Sequence, residues 1–551
     1  MKIRSFIAGA SALAITLGGG SAFAQSLDYT SLSELFGEPV TAGATGAPQR
    51  ASDVPATMII ITQDDIQRFP EYDIPGVLRH YAGMDVSRFA VGDGQTNIRG
   101  FAAGFSPRLL VLVNGREVYM DSYGYTAWST IPVQFDEIQQ IEVVKGPQSA
   151  LYGFNAVAGV VNIITRNAAH ENYLTARADI GDGINGASIV GGQSFGDRFS
   201  VRFSIGTMDA DDFDPAPFNI RAAELDALGV DHSRDSASLA ARFAITDKVS
   251  ISAEITSSEV ATAEGTGTGY SVETSYETDS YKIDLEADTS IGFITASTFQ
   301  NETVTVFDFG PLENSLTGYR IQNLVKIGAN DTIRVSAEYR EAEAISFPEP
   351  GNGAFGYEST AFSAMWNHKF SNALDITLAG RYDSVDWSRD GDPNPFFYAF
   401  TQDDYSVTFE EFSYNAALVW RPDFGGAMRF SAAQGVQAPT LFDIGFTLPI
   451  PLGGGFAAIS GNPNSQPAII QSFEVAYDRP LSESVALRAA IFTDETTDVK
   501  GSIGAAPTYL PPAYPVPTFL FDNRGDTETF GGEVTLIGTP EGPWDWQVNY
   551  T

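Results

Sequence analysis

IQQIEVVKGPQSALYGFNAVAGVVNIITR, residues Ile138 to Arg166, decides how the rest of the chain is read. A β-branched run from Ile141 to Val144 breaks at Gly146-Pro147, turns through Tyr152-Gly153 and resumes as the apolar run Val157 to Ile164. This is strand, loop, strand. Gly146, Gly153 and Gly159 suit tight turns or close backbone approach, where a side chain would clash. No catalytic residue stands in the stretch.

Upstream, Ala51 to Ala168 reads as an α+β globule. Met58 to Ile61 is an apolar strand, and Thr62 can cap a helix beginning near Asp64. A second short helix is expected over Ile74 to Tyr81, then a strand over Gly83 to Val86. Arg108 to Val113 followed by Asn114-Gly115 reads as strand and hairpin turn. These residues resemble the plug domain of TonB-dependent outer-membrane receptors. The match is carried by the opening stretch, by TNIRGF (Thr96 to Phe101) and by ASDVPATMIIITQDDIQRF from Ala51.

The remainder is a different kind of sequence. In DTIRVSAEYR, Ile333, Val335, Ala337 and Tyr339 alternate with Arg334, Ser336, Glu338 and Arg340; KVSISAEIT and LDITLAGRYD repeat the pattern. About 17 such runs lie between residues 170 and 551. Each is near the roughly 9–11 residues that span a bilayer when tilted. Helical amphipathicity would not alternate this way. Alternation alone leaves a soluble β-sandwich or β-solenoid open. Long acidic loops such as Asp209 to Asp235 and Arg389 to Glu411 favour a membrane barrel, as do aromatics near strand ends, Tyr339, Tyr382, Trp387, Trp420 and Trp546. GVQAPTLFDIGF (Gly435 to Phe446), GNPNSQPAIIQSFEVAYD (Gly461 to Asp478) and FGGEVTL (Phe530 to Leu536) resemble the receptor barrel.

Composition agrees. The chain has 551 residues, 53 Gly, 38 Phe, 22 Tyr and no cysteine, which favours strands and turns and excludes disulfide chemistry. Lys2 and Arg4, the apolar run Phe6 to Leu17 and the site Ala22-Phe23-Ala24 predict a signal peptide over 1–24. No later run is apolar and long enough for a membrane helix, so a spanning protein of this kind has to be a barrel. Of the net charge of −37, residues 169–551 carry most, with 54 acidic against 21 basic side chains. That argues against a nucleic-acid partner. It suits water, cations or a polyanion bridged by divalent ions.

The expected architecture is an all-β membrane barrel with an N-terminal α+β plug: signal peptide 1–24, periplasmic arm 25–50, plug 51–168 and barrel 169–551. The resemblance implies about 22 strands. With about 17 present and the last run stopping at Tyr550-Thr551, a C-terminally incomplete chain is expected. The polar, Pro/Gly-broken arm Gln25 to Arg50 reads as extended and mobile. Its Glu38, Pro39, Val40, Thr41 and Ala42 resemble the TonB box, which implies strand addition to the energy-coupling protein TonB. A plain linker is the alternative.

Sites of chemistry are not evident. GDGING (Gly181 to Gly186) fits a dinucleotide motif, but an alternating strand follows where a helix is required. The four histidines, His80, His170, His232 and His368, show no ligand spacing. Asp390, Asp392 and Asn394, like Asp209, Asp211 and Asp214, begin a calcium-loop pattern without its Gly or closing Glu. No catalytic residue, metal or cofactor is expected. The resemblance implies a monomeric active transporter of the bacterial outer membrane, with TonB as partner and a ferric siderophore as its commonest cargo. Cobalamin and oligosaccharide are alternative cargoes, and an adhesin or passive channel is the alternative function. Ligand contact is expected on two plug loops, at Arg88 and Phe89 and at Tyr123, Tyr125 and Trp128. Packing of these rings against the barrel wall is the competing reading.

Overall fold

The computed structural model describes residues 39–41, 49–100, 108–122, 124–181, 183–211, 231–265, 271–307, 310–345, 354–391, 400–445, 447–452, 455–501, 518–539 and 544–551. Glu38, Ala42 and Tyr123, the segment 1–24 and most of the arm lie outside these residues.

The plug is built on a five-stranded sheet in the order Met58–Thr62, Ile138–Lys145, Gly159–Thr165, Leu109–Val113 and Arg116–Glu117. The two strands of the opening stretch are antiparallel central neighbours. At their meeting point Lys145 faces Gly159, where a Cβ would stand 2.4 Å from the Val144 carbonyl oxygen, so only glycine fits. Asn114 and Gly115 take φ of 50° and 78°, the left-handed pair that a two-residue hairpin demands. Helix Gln63–Arg68 is capped by Thr62, whose Oγ1 accepts from the Asp65 amide at 3.2 Å. Asp73 caps helix Ile74–Leu78. Ile61, Leu78, Val111, Ile141 and Ile163 meet in a core between helices and sheet.

One antiparallel sheet of 17 strands follows, from Tyr173–Ile180 to Trp546–Tyr550, which are its two edges. Its strands run up to 19 residues, as in Ser271–Thr289, so they extend past the length a bilayer requires. Alternation sorts the faces: Val335 is 46% exposed on the outside, while Arg334 at 6% faces the lumen. Trp387 departs from the girdle expectation. Its position falls on the inward face beside Val385, and its ring packs 5.1 Å from that of Tyr357. The Gly181–Gly186 motif is a hairpin end, with the Gly181 amide bonded to the Ile184 carbonyl at 2.8 Å.

Connections at one end are short, such as Asp247-Lys248 and Glu483-Ser484, and the longest, residues 438–467 and 498–526, join strands at the other. In outer-membrane barrels the long ones face outside. Loop Phe89–Asp93 and loop Asp121–Trp128 of the plug lie at that long-connection end. Gly92 approaches His232, and Tyr125 reaches Glu264, both at the ends of their strands.

Candidate functional site: the plug and its seam with the wall

The outward loops differ in what they offer. Arg88 is turned back into the plug. Its guanidinium makes two bonds to Asp73, of 2.5 and 2.8 Å, and lies 5.0 Å from the Tyr72 ring. Phe89 packs beside Ala90 and Ala263. Tyr125 is half-buried, and its hydroxyl donates to Glu264 at 3.1 Å. Trp128 is 8% exposed and belongs to the plug core with Ile131 and Val133. Arg88 and Trp128 therefore support the loops from beneath, and Phe89 and Tyr125 stand nearer their tips.

The arm is not wholly free, contrary to the mobile reading. Val40–Thr41 pairs with Gln49–Arg50, both residues are 0% exposed, and the Gln140 side chain donates to the Val40 carbonyl at 3.1 Å. The Ala51 amide bonds the Pro39 carbonyl at 3.0 Å. Backbone hydrogen bonding thus ties the central residues of the candidate TonB box to the plug.

Sequence reasoning missed the ionic seam between plug and wall. Arg99 has a left-handed φ of 60°, uncommon for a residue with a Cβ, and its guanidinium reaches the wall. It bonds Glu474 and, at 2.9 Å, Glu533; Lys145 bonds the other Glu533 oxygen at 2.6 Å. Thr57 donates to the second Glu474 oxygen. Burial opposes the Arg99 charge, but Glu474 and Glu533 outweigh it and hold its pKa above the usual range. For Lys145 burial wins, and its ammonium falls below its usual pKa despite Glu533.

Further ionic contacts extend the seam, two of them deeply buried. Plug Glu137 accepts from Arg202 and from Ser204 at 2.8 Å, and Arg202 also bonds Glu254 at 2.7 Å. Plug Glu117 pairs with Arg340, which is linked through Glu338 to Arg381. Burial raises Glu117 to about 7, Arg340 opposing it and Asp121 adding to it. A sequence clue existed, since every one of these wall residues lies on the polar face of an alternating strand. Which plug residue each would meet was not readable.

The comparisons agree with this geometry. Residues 50–160 match the TonB-dependent Receptor Plug Domain, and residues 171–551 match the TonB dependent receptor-like beta-barrel. The vitamin B12 transporter BtuB of Vibrio cholerae serotype O1 is 30% identical over 171 residues, 31% of this chain and 28% of that protein. The chain thus matches under a third of that relative's length. Two solved structures share the fold. The siderophore receptor PirA of Acinetobacter baumannii has a TM-score of 0.69 at 16% identity, covering 87% of this chain and 78% of its own. A mutant ferric enterobactin receptor PfeA of Pseudomonas aeruginosa has a TM-score of 0.71 at 16% identity, covering 90% and 80%. With plug and barrel both matched along their lengths, the chain belongs to the TonB-dependent receptor family.

Proposed function

We propose that this protein is an active transporter of the bacterial outer membrane, importing a scarce nutrient with energy delivered by TonB through Glu38 to Ala42. The observation that carries the reading is a lumen filled by a plug that is bonded to the wall on several sides and also to Val40. A barrel of this size needs its lumen closed, and uptake then needs the plug to move. An outer membrane has no ATP for that work. A pull on Val40-Thr41 would pass straight to the plug through Gln140 and the Gln49–Arg50 ladder. Deleting Glu38 to Ala42 should abolish uptake and leave ligand binding intact; uptake that survives the deletion refutes the coupling.

A ferric siderophore is our reading of the cargo, after the family resemblance. Cobalamin is the second reading, favoured by the 30% identity to a vitamin B12 transporter. Competition between a ferric siderophore panel and cobalamin for uptake separates them. Ligand contact is assigned to Phe89 and Tyr125 of the outward loops and, from its sequence position beside Gly124, to Tyr123, since aromatic rings give contact area and the tyrosines add a polar handle. Replacing Tyr123 and Tyr125 by Ala should weaken binding by about 1–3 kcal/mol without unfolding the plug. Unchanged affinity in the folded double variant moves the site to the barrel loops.

A further inference from the structure

Beyond strand Ala427–Gln437 the chain turns inward and ends in the helical turn Leu441–Gly445. This strap, Val436 to Gly445, bonds the plug through its backbone. The Leu441 and Phe442 amides donate to the carbonyl oxygens of Asp121 and Ser122, each at 3.0 Å, and the Asn155 amide donates to the Val436 carbonyl at 2.8 Å. Val436, Leu441 and Ile444 are buried.

The strap has one ionisable residue, Asp443. Its carboxylate accepts from the Thr440 amide at 2.8 Å, and its own amide donates to Thr440 Oγ1 at 3.0 Å, which caps the helical turn. The remaining partner comes from the next long connection, residues 498–526. Lys500 Nζ donates to the Ala438 carbonyl and to Asp443 Oδ2, the latter at 3.1 Å. Lys500 itself is placed by the ladder Lys500–Gly501 with Asp522–Asn523. From the same ladder Asn523 Oδ1 accepts from the Gln466 amide at 2.9 Å, and the adjoining Phe521 amide bonds Ser460 at 3.0 Å. Both bonds reach the far end of the strap's own connection.

We infer that Lys500 is a positioning residue whose ammonium seats the strap on the plug, so that the ladder Lys500–Gly501 with Asp522–Asn523 holds the plug's outward loop at Asp121 and Ser122. A largely buried ammonium is retained only where acceptors meet it, and its removal leaves the half-buried Asp443 carboxylate without its cation and takes the Lys500 bond from the Ala438 carbonyl. The strap's hydrogen bonds to the plug use its backbone, so they depend on where the strap sits, which Lys500 sets together with the packing of Val436, Leu441 and Ile444 against plug Met120, Ala127 and Phe154. This linkage does not depend on the identity of any cargo.

Amide hydrogen exchange on the full chain tests it. In Lys500→Met the Leu441 and Phe442 amides and the peptide over 120–125 should exchange about tenfold faster or more, the scale of one lost charge-assisted bond, with strand Leu374–Asp390 unchanged. Lys500→Arg keeps the cation and should restore most of the protection. Unchanged exchange at Leu441 and Phe442 in Lys500→Met overturns the inference, as does equal loss in both variants. Should Lys500→Met loosen strand Leu374–Asp390 as well, Asp443→Asn decides, because it keeps a cap acceptor and removes the ion pair. Faster exchange at Leu441 and Phe442 in that variant supports the linkage, and parent-like exchange refutes it.

Discussion

The plug and the wall around it use the same β alternation in opposite senses. In the plug, strand Leu109–Val113 is buried on both faces, and apolar side chains fill the space between sheet and helices. In the wall, apolar residues such as Phe473, Ile491 and Phe530 point outward, and Arg202, Glu254, Arg340 and Glu474 point in. The wall's polar face is buried too, because the plug covers it. The interface between the two therefore carries buried charge beside apolar contact: ion pairs at Arg99, Glu137 and Glu117 stand alongside a shared cluster of plug Met120, Ala127 and Phe154 with wall Tyr276, Leu316 and Val385. A buried ion pair is costly once one partner is removed.

That contrast can be broken most sharply at Arg99. Arg99→Ala leaves Glu474 and Glu533 buried with Lys145 as their one remaining strong cation in this group, and should destabilise the seated plug by about 3–5 kcal/mol. Urea titration of plug unfolding measures this. A loss below about 1 kcal/mol would mean that apolar packing holds the plug.

On the outer face the sense reverses. Phe473→Arg places a charge on the lipid side and should cost the barrel about 2–4 kcal/mol if the position lies near the bilayer midplane. Refolding into vesicles reads that cost. An unaffected barrel would contradict the lipid-facing assignment of this strand.

The smallest effect concerns pH. Burial holds Glu117 at about 7, above its unfolded value, so its proton is favoured in the folded state. Stability from this group is complete below the unfolded value of 4.5 and is lost as pH rises through about 7. Glu117→Gln should flatten the pH dependence of plug unfolding across that window. A slope equal to the parent's would place the titration elsewhere.

Much of the fold was legible in the sequence because alternation is local. About 17 runs were expected, and the sheet has 17 strands. Thr62, Asn114 and Gly115 announced their cap and turn by residue type alone. Trp387 was misread since a strand end looks alike from either face, and parity decides which way the ring points. The ionic seam was not legible: Arg99 meets partners 375 and 434 positions away, and periodicity gives a face without naming what covers it. Arg88 and Trp128 showed the same limit. Their residue types suit a binding loop, while tertiary contact with Asp73 and the plug core gives them supporting positions.

The central claim is that this plugged barrel is worked from its N-terminal segment. Co-purification of the full chain with the C-terminal domain of TonB tests it most directly, with and without Glu38 to Ala42. The account expects retention of TonB by the intact chain and its loss on deletion, with the plug still resistant to urea. Equal retention in both, or none by the intact and folded chain, would contradict it.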